Sequence, residues 1–157
     1  MEMRQSAQSE SRQKRKAECL EELAFLELCR TADILARGPV LLLKAEGLSF
    51  TQYNVLRILR GATEGLACGE IGNRMITRDP DITRLLDRLE GRGLISRCRE
   101  AKDRRMVMAG ITPDGMKLLA LMDEPVRETH RKQLGHLGRE RLRALAKLLR
   151  ASRERPS

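Results

Sequence analysis

Aromatic residues are nearly missing from this chain. Phe25, Phe50 and Tyr53 are the whole set, and there is no tryptophan. Proteins that grip single strands or RNA loops stack unpaired bases on aromatic platforms, so that class is disfavoured. Histidine is as scarce, with only His130 and His136, and Cys19, Cys29, Cys68 and Cys98 form no C-x-x-C pair. Zinc-site spacing is therefore absent, and the cysteines are expected to be reduced thiols of a cytoplasmic protein. No Ser-His-Asp set, Cys-His pair or glycine-rich phosphate loop is legible either. The expectation is a protein that is not an enzyme, with no catalytic residues, no metal and no cofactor. The longest apolar run, Pro39-Val40-Leu41-Leu42-Leu43, is far too short to cross a bilayer. The polar start, MEMRQSAQSESRQKRKAE, lacks the apolar stretch of a secretory signal.

What the chain does have is positive charge. Lys plus Arg number 31 against 22 for Asp plus Glu, a net +9 over 157 residues. The length suits a single domain with a real core. The charge favours an anionic partner, with nucleic acid first. The alternative from charge alone is a soluble helical protein that happens to be Arg-rich, and a non-specific nucleic-acid-binding protein would use the same charge.

Residues 1–16 are polar and basic and are expected to be a disordered tail. From Ala17, Leu20, Leu23, Ala24, Leu28, Ala32 and Leu35 recur at helical spacing. Gly38-Pro39 is expected to break or kink that helix, with Pro39 opening a short continuation through Leu43. Phe25, Leu26, Cys29 and Ile34 lie on its other faces, and such wide apolar coverage suits packing against a partner chain. Ser49-Phe50-Thr51-Gln52 has the form of a capping box opening a helix that stops at Gly61. A short segment follows, Cys68 to Ile76. Asp79-Pro80-Asp81 then predicts a helix with Asp79 as N-cap and Pro80 in the first position. Its Ile82, Leu85, Leu86 and Leu89 fall on one face, with Arg84 and Asp87 opposite and Thr83 and Arg88 on the flanks. Two short helices joined by a tight link match a helix-turn-helix.

Leu94–Arg99 and Arg105–Ile111 predict two strands of a basic hairpin. Thr112-Pro113 restarts a helix toward Leu134, with a kink expected at Pro125. Gly135 to Gly138 is a break, and a last helix carries Leu142, Leu145, Leu148 and Leu149. The fold class is therefore mainly α with a small β-hairpin wing, a winged helix-turn-helix of the α+β kind. Residues 49–112 form the DNA-binding region, 17–48 and 113–152 a helical dimerisation region, and 153–157 a tail.

A helix in a major groove reads base edges with polar side chains near its N-terminus. Here these are Arg78, Asp81, Thr83, Arg84 and Arg88. The hairpin tip supplies Lys102, Asp103, Arg104 and Arg105. Asp103 stands two residues before Arg105, close enough to orient its guanidinium toward a narrow minor groove.

Asp103-x-Arg105, five residues, then Ile111-Thr112-x-x-Gly115 resembles the D-x-R-x5-L-T-x-x-G signature of the MarR family of transcriptional regulators, with Ile in place of Leu. Gly69-Glu70-Ile71-x-x-Arg74 and Ile82-Thr83-Arg84-Leu85-Leu86-Asp87-Arg88-Leu89-Glu90 resemble that family's helix-turn-helix. Leu48-Ser49-x-x-Gln52-Tyr53-x-Val55-Leu56 resembles the segment before it. The resemblance spans residues 17–152. It implies a homodimer with an intertwined helical dimerisation region and a near-palindromic double-stranded DNA operator. It also implies a repressor released by a small lipophilic or phenolic effector, at a site the sequence does not locate. Relatives that sense peroxide carry a cysteine in a Leu-Cys-Phe context. Here Leu23-Ala24-Phe25 puts Ala24 at that position, so a thiol-based redox regulator is the lesser alternative.

Overall fold

A computed structural model describes residues 19–77, 80–99 and 106–154. The expected tail at residues 1–16 and residues 155–157 of the expected tail at 153–157 thus lie outside the described residues. The chain divides into two compact units at the Arg37–Gly38 junction.

The first unit is helical. Helix α1 spans Leu20–Ala45 and begins here with Glu21 and Glu22 in its first turn, where carboxylates favour the partly positive helix end. Among its described side chains are the local ion pairs Arg30–Glu27 and Arg37–Asp33. Its large apolar residues stay open to solvent: Leu20 is 74% exposed, Phe25 63% and Ile34 62%.

The second unit carries the core. It starts in the last turns of α1, where Gly38-Pro39 predicts a break or a kink. The structure excludes the break and the separate continuation: α1 runs through Pro39, which is buried. A proline inside a helix loses one N–H bond and crowds the preceding turn, and here that cost is offset by burial. Gly38 is present for proximity rather than for breaking, because a Cβ there would lie 2.7 Å from Thr129 Cγ2.

Helix α2, Phe50–Arg60, opens on the expected capping box. Ser49 Oγ accepts from the Gln52 backbone N–H at 3.1 Å, and Gln52 Oε1 accepts from the Ser49 N–H at 2.9 Å. Strand β1, Leu66–Ala67, leads directly into α3, Cys68–Arg74. Helix α4 spans Ile82–Gly91, and strands β2, Ile95–Arg99, and β3, Val107–Ile111, follow. Helix α5, Pro113–Leu134, continues through Pro125 into a 3-10 turn at Gly135–Leu137, and α6 covers Gly138–Ala151.

The sheet is antiparallel in the order β1-β3-β2. Ile95 pairs with Ile111 and Arg97 with Ala109, while Leu66 also pairs with Ala109 from the other side. Gly65 makes that approach possible: its φ is +78°, and a Cβ would stand 2.8 Å from the Ala109 carbonyl oxygen. The core gathers Leu43 from α1, Val55, Leu56 and Leu59 from α2, Ile71 from α3, Leu86 and Leu89 from α4, Ile95 and Ala109 from the sheet, and Leu119 and Val126 from α5. Among the described residues, every α-helix but α6 contributes a buried residue.

Candidate nucleic-acid interface

Helix α4 is positioned from within. Leu85, Leu86 and Leu89 are buried, with Ile82 packed beside them, which turns Thr83, Arg84, Asp87 and Arg88 to solvent. The predicted start of this helix shifts by two residues. Asp81, not Asp79, is the N-cap: its Oδ1 accepts from the Arg84 N–H at 3.1 Å, and Ile82 is the first helical residue. Both carboxylates are competent caps. Capping by Asp81 leaves Pro80 ahead of the helix, where its missing N–H costs nothing. The second carboxylate oxygen of Asp81 lies 3.6 Å from Arg84 Nε, so the base-reading candidate Asp81 is also the residue that fixes the base-reading candidate Arg84.

Of the other residues singled out from sequence, Thr83, Arg84 and Arg88 share the outward side of α4. Arg78 and the wing residues Lys102, Asp103, Arg104 and Arg105 lie outside the described residues. The expectation that Asp103 orients Arg105 likewise lies outside the described residues.

The structure shows contacts that sequence patterning did not signal. Asn54 is buried on α2, and its Oδ1 accepts the Ile76 N–H at 2.8 Å, which pins the chain as it leaves α3. A buried amide on an otherwise apolar face was the only available clue. Arg97 of β2 reaches back to α4. Its Nε and Nη2 donate to Glu90 Oε2 at 2.9 and 2.6 Å, its backbone N–H donates to Glu90 Oε1 at 3.0 Å, and Nη2 also donates to Asp87 Oδ1. The Glu90 carboxyl is accordingly held below the usual carboxylate range, chiefly by the hydrogen bond from Arg97, and the Arg97 guanidinium is raised for the same reason.

The far end of α4 is tied down twice. Arg92 donates to the carbonyl oxygens of Gly47 and Glu46, at 2.7 and 3.2 Å, where α1 gives way to α2. Thr112 Oγ1 donates to the Gly93 carbonyl at 2.6 Å while accepting from the Gly115 N–H at 3.1 Å, so one hydroxyl caps α5 and holds the turn after α4. Gly115 has no room for a side chain: a Cβ would be 2.2 Å from the Leu94 carbonyl oxygen. The T-x-x-G portion of the sequence signature is thus a steric and hydrogen-bonding joint between wing and helix.

Cys68, at the start of α3, is half-buried, and burial pushes its thiol up, away from the reactive thiolate. Among the described residues, no group of His, Cys, Asp and Glu is placed to hold a metal ion. Nor is any described helix long and apolar enough to cross a membrane.

A compact α2–α3–α4 unit closed by a three-stranded sheet, with the polar side of α4 turned outward, is a winged helix-turn-helix. The model of the MarR family matches residues 48–107. A solved MarR transcription factor from Planctomyces limnophilus is 42% identical to this chain; the match covers 83% of this chain and 95% of that one, with a TM-score of 0.65. The transcriptional repressor CouR, solved on a 23-mer DNA duplex, is 29% identical with a TM-score of 0.76, covering 88% of this chain and 98% of that one. The HTH-type transcriptional regulator TtmR of Methylorubrum extorquens is 39% identical over 52% of this chain, a match that spans only 42% of TtmR.

This chain belongs to the MarR family. It is a transcriptional regulator with the family's DNA-binding module.

Proposed function

We propose that the chain acts as a cytoplasmic homodimer that binds a near-palindromic double-stranded DNA operator and represses the genes it controls. The carrying observation is the outward side of α4. Thr83, Arg84 and Arg88 stand exposed on a helix whose opposite side is locked into the core. In this reading Arg78, Asp81, Thr83, Arg84 and Arg88 serve the major groove, and Lys102, Asp103, Arg104 and Arg105 serve the minor groove and flanking phosphates. CouR, similar in fold and 29% identical, was solved on duplex DNA, which supports this use of the module.

Dimerisation is supported by apolar side chains that the single chain leaves open. Leu20, Phe25 and Ile34 lie on the first part of α1, and Leu41, Leu121 and Leu148 on α1, α5 and α6. Release by a small lipophilic or phenolic effector belongs to the same reading and rests on the family resemblance.

The test uses Arg84→Ala and Arg105→Ala, each measured by titration against a duplex from the promoter upstream of the chain's own gene. Each is expected to lose ~1–3 kcal/mol of binding, about 5- to 150-fold in Kd. If both variants stay folded and keep wild-type affinity, these arginines do not carry recognition.

A further inference from the structure

We propose that Arg97 is a positioning residue for DNA recognition, a clamp from the wing that sets the angle at which α4 is presented. The inference rests on the reading of α4 as the recognition helix. Arg97 is poorly placed to touch DNA itself, since its side chain is only 22% exposed and its fork is occupied by Glu90 and Asp87. These two acids are one helical turn apart on α4, and Arg97 belongs to β2, so the cluster ties a strand of the wing to the recognition helix. The ties converge from backbone as well as side chain, because the Arg97 N–H engages the other Glu90 oxygen at 3.0 Å. A guanidinium that donates from two nitrogens to one oxygen of Glu90 and on to Asp87 fixes direction as well as distance. The leucines of α4 hold it against the core, but packing of similar side chains tolerates small rotations about the helix axis. The Arg97 fork removes that freedom. Base readout needs side chains held within about 0.5 Å and 10–20° of the productive geometry, whereas attraction to phosphate does not.

The test separates angle from charge. The wild-type cluster has one cation and two anions, and the double variant Glu90→Gln/Arg97→Met leaves Asp87 alone, so the net charge is −1 in both. Two probes are titrated at matched salt: a duplex that the wild-type protein selects from a randomised pool, and a scrambled duplex of equal length. The double variant is expected to lose about ten-fold in affinity for the selected duplex and to stay within about two-fold on the scrambled one. Arg97→Lys keeps the charge without the fork and is expected to fall between. Losses that are equal on both probes overturn the proposal, because they mark Arg97 as a phosphate contact. An unchanged preference in the folded double variant also overturns it. If the double variant has no folded far-UV dichroism, Arg97→Lys carries the test, and wild-type preference in that variant overturns the clamp. If the wild-type protein selects no duplex at all, recognition by α4 fails rather than the clamp.

Discussion

Helices α4 and α6 are both short, amphipathic and rich in arginine, yet they end in opposite conditions. Helix α4, Ile82–Gly91, buries Leu85, Leu86 and Leu89 within its own chain. Helix α6, Gly138–Ala151, buries nothing, although Leu142, Leu145, Leu148 and Leu149 recur at helical spacing. The first unit of α1 shares the condition of α6. The difference separates two kinds of sequence instruction. Around α4, one chain satisfies its own apolar pattern and adds polar ties through Arg92, Arg97 and Thr112. In the first part of α1 and in α6 the apolar pattern stays open to solvent. The reading module has its geometry set internally, and under the proposed dimer a second copy would cover those open faces.

The contrast is broken or kept most directly by paired leucine truncations. Leu86 is 1% exposed and Leu121 is 70% exposed. Leu86→Ala is expected to cost ~2–5 kcal/mol, since it opens a cavity among α4, α2 and the sheet. That loss, read by urea unfolding, should not depend on protein concentration. Leu121→Ala should change a lone chain by no more than about 0.5 kcal/mol. If a second copy covers it, its Tm deficit should be small where the chain is monomeric and grow as rising protein concentration forms the dimer. A large, concentration-independent cost at Leu121 would remove the distinction between the two regions.

The joint at Gly115 sharpens the same contrast, because it lies where the reading module meets α5. Gly115→Ala forces a Cβ to within 2.2 Å of the Leu94 carbonyl oxygen, and a backbone atom cannot rotate away as a flexible side chain would. The expected cost is about 2–3 kcal/mol, with a displaced wing and weakened duplex binding. Gly135→Ala is the control, because nothing lies within 4 Å of a Cβ there. Equal effects at the two glycines would show that chain entropy rather than the joint is being measured.

These positions also show why legibility in the sequence was uneven. The capping box at Ser49, the leucine face of α4, the Thr112 cap and the hairpin pairing were readable, because each is set by residues a few positions apart. Their signals are period, cap chemistry and turn chemistry. Strand β1 was not readable, because Leu66-Ala67 is too short to show alternation and pairs across the sequence with Met108 and Ala109. The helix break expected at Gly38-Pro39 was wrong for a related reason. Gly and Pro are punctuation locally, but Gly38 answers to Thr129, far away in the sequence. The functional site divides the same way. The outward arginines of α4 follow from its period, whereas the Arg97 clamp needs the wing folded back onto α4 before Arg97 meets Glu90 and Asp87.

The smallest expected effect concerns the tie between the reading module and α5. Arg60 of α2 donates from Nη1 and Nη2 to both carboxylate oxygens of Asp123, at 2.8 and 3.0 Å. The side chains are 30% and 34% exposed, so solvent screens the pair, and ~0.5–1 kcal/mol is the appropriate scale despite the bidentate geometry. The Asp123 carboxyl is held below its ordinary value, first by the hydrogen bond from Arg60. An aspartate with a folded pKa below its unfolded value of about 3.9 stabilises the fold fully above that value. The contribution is lost as pH falls through the lower, folded pKa. The Tm gap between wild type and Asp123→Asn should therefore be flat from about pH 5 to 8 and close below about pH 4. The raised Arg60 guanidinium titrates far above this window and does not alter the sign. A gap that persists unchanged in acid would mean that Asp123 acts through packing or neutral hydrogen bonding. The link from α2 to α5 would then depend on shape, as the approach of α1 to α5 does at Gly38, rather than on charge.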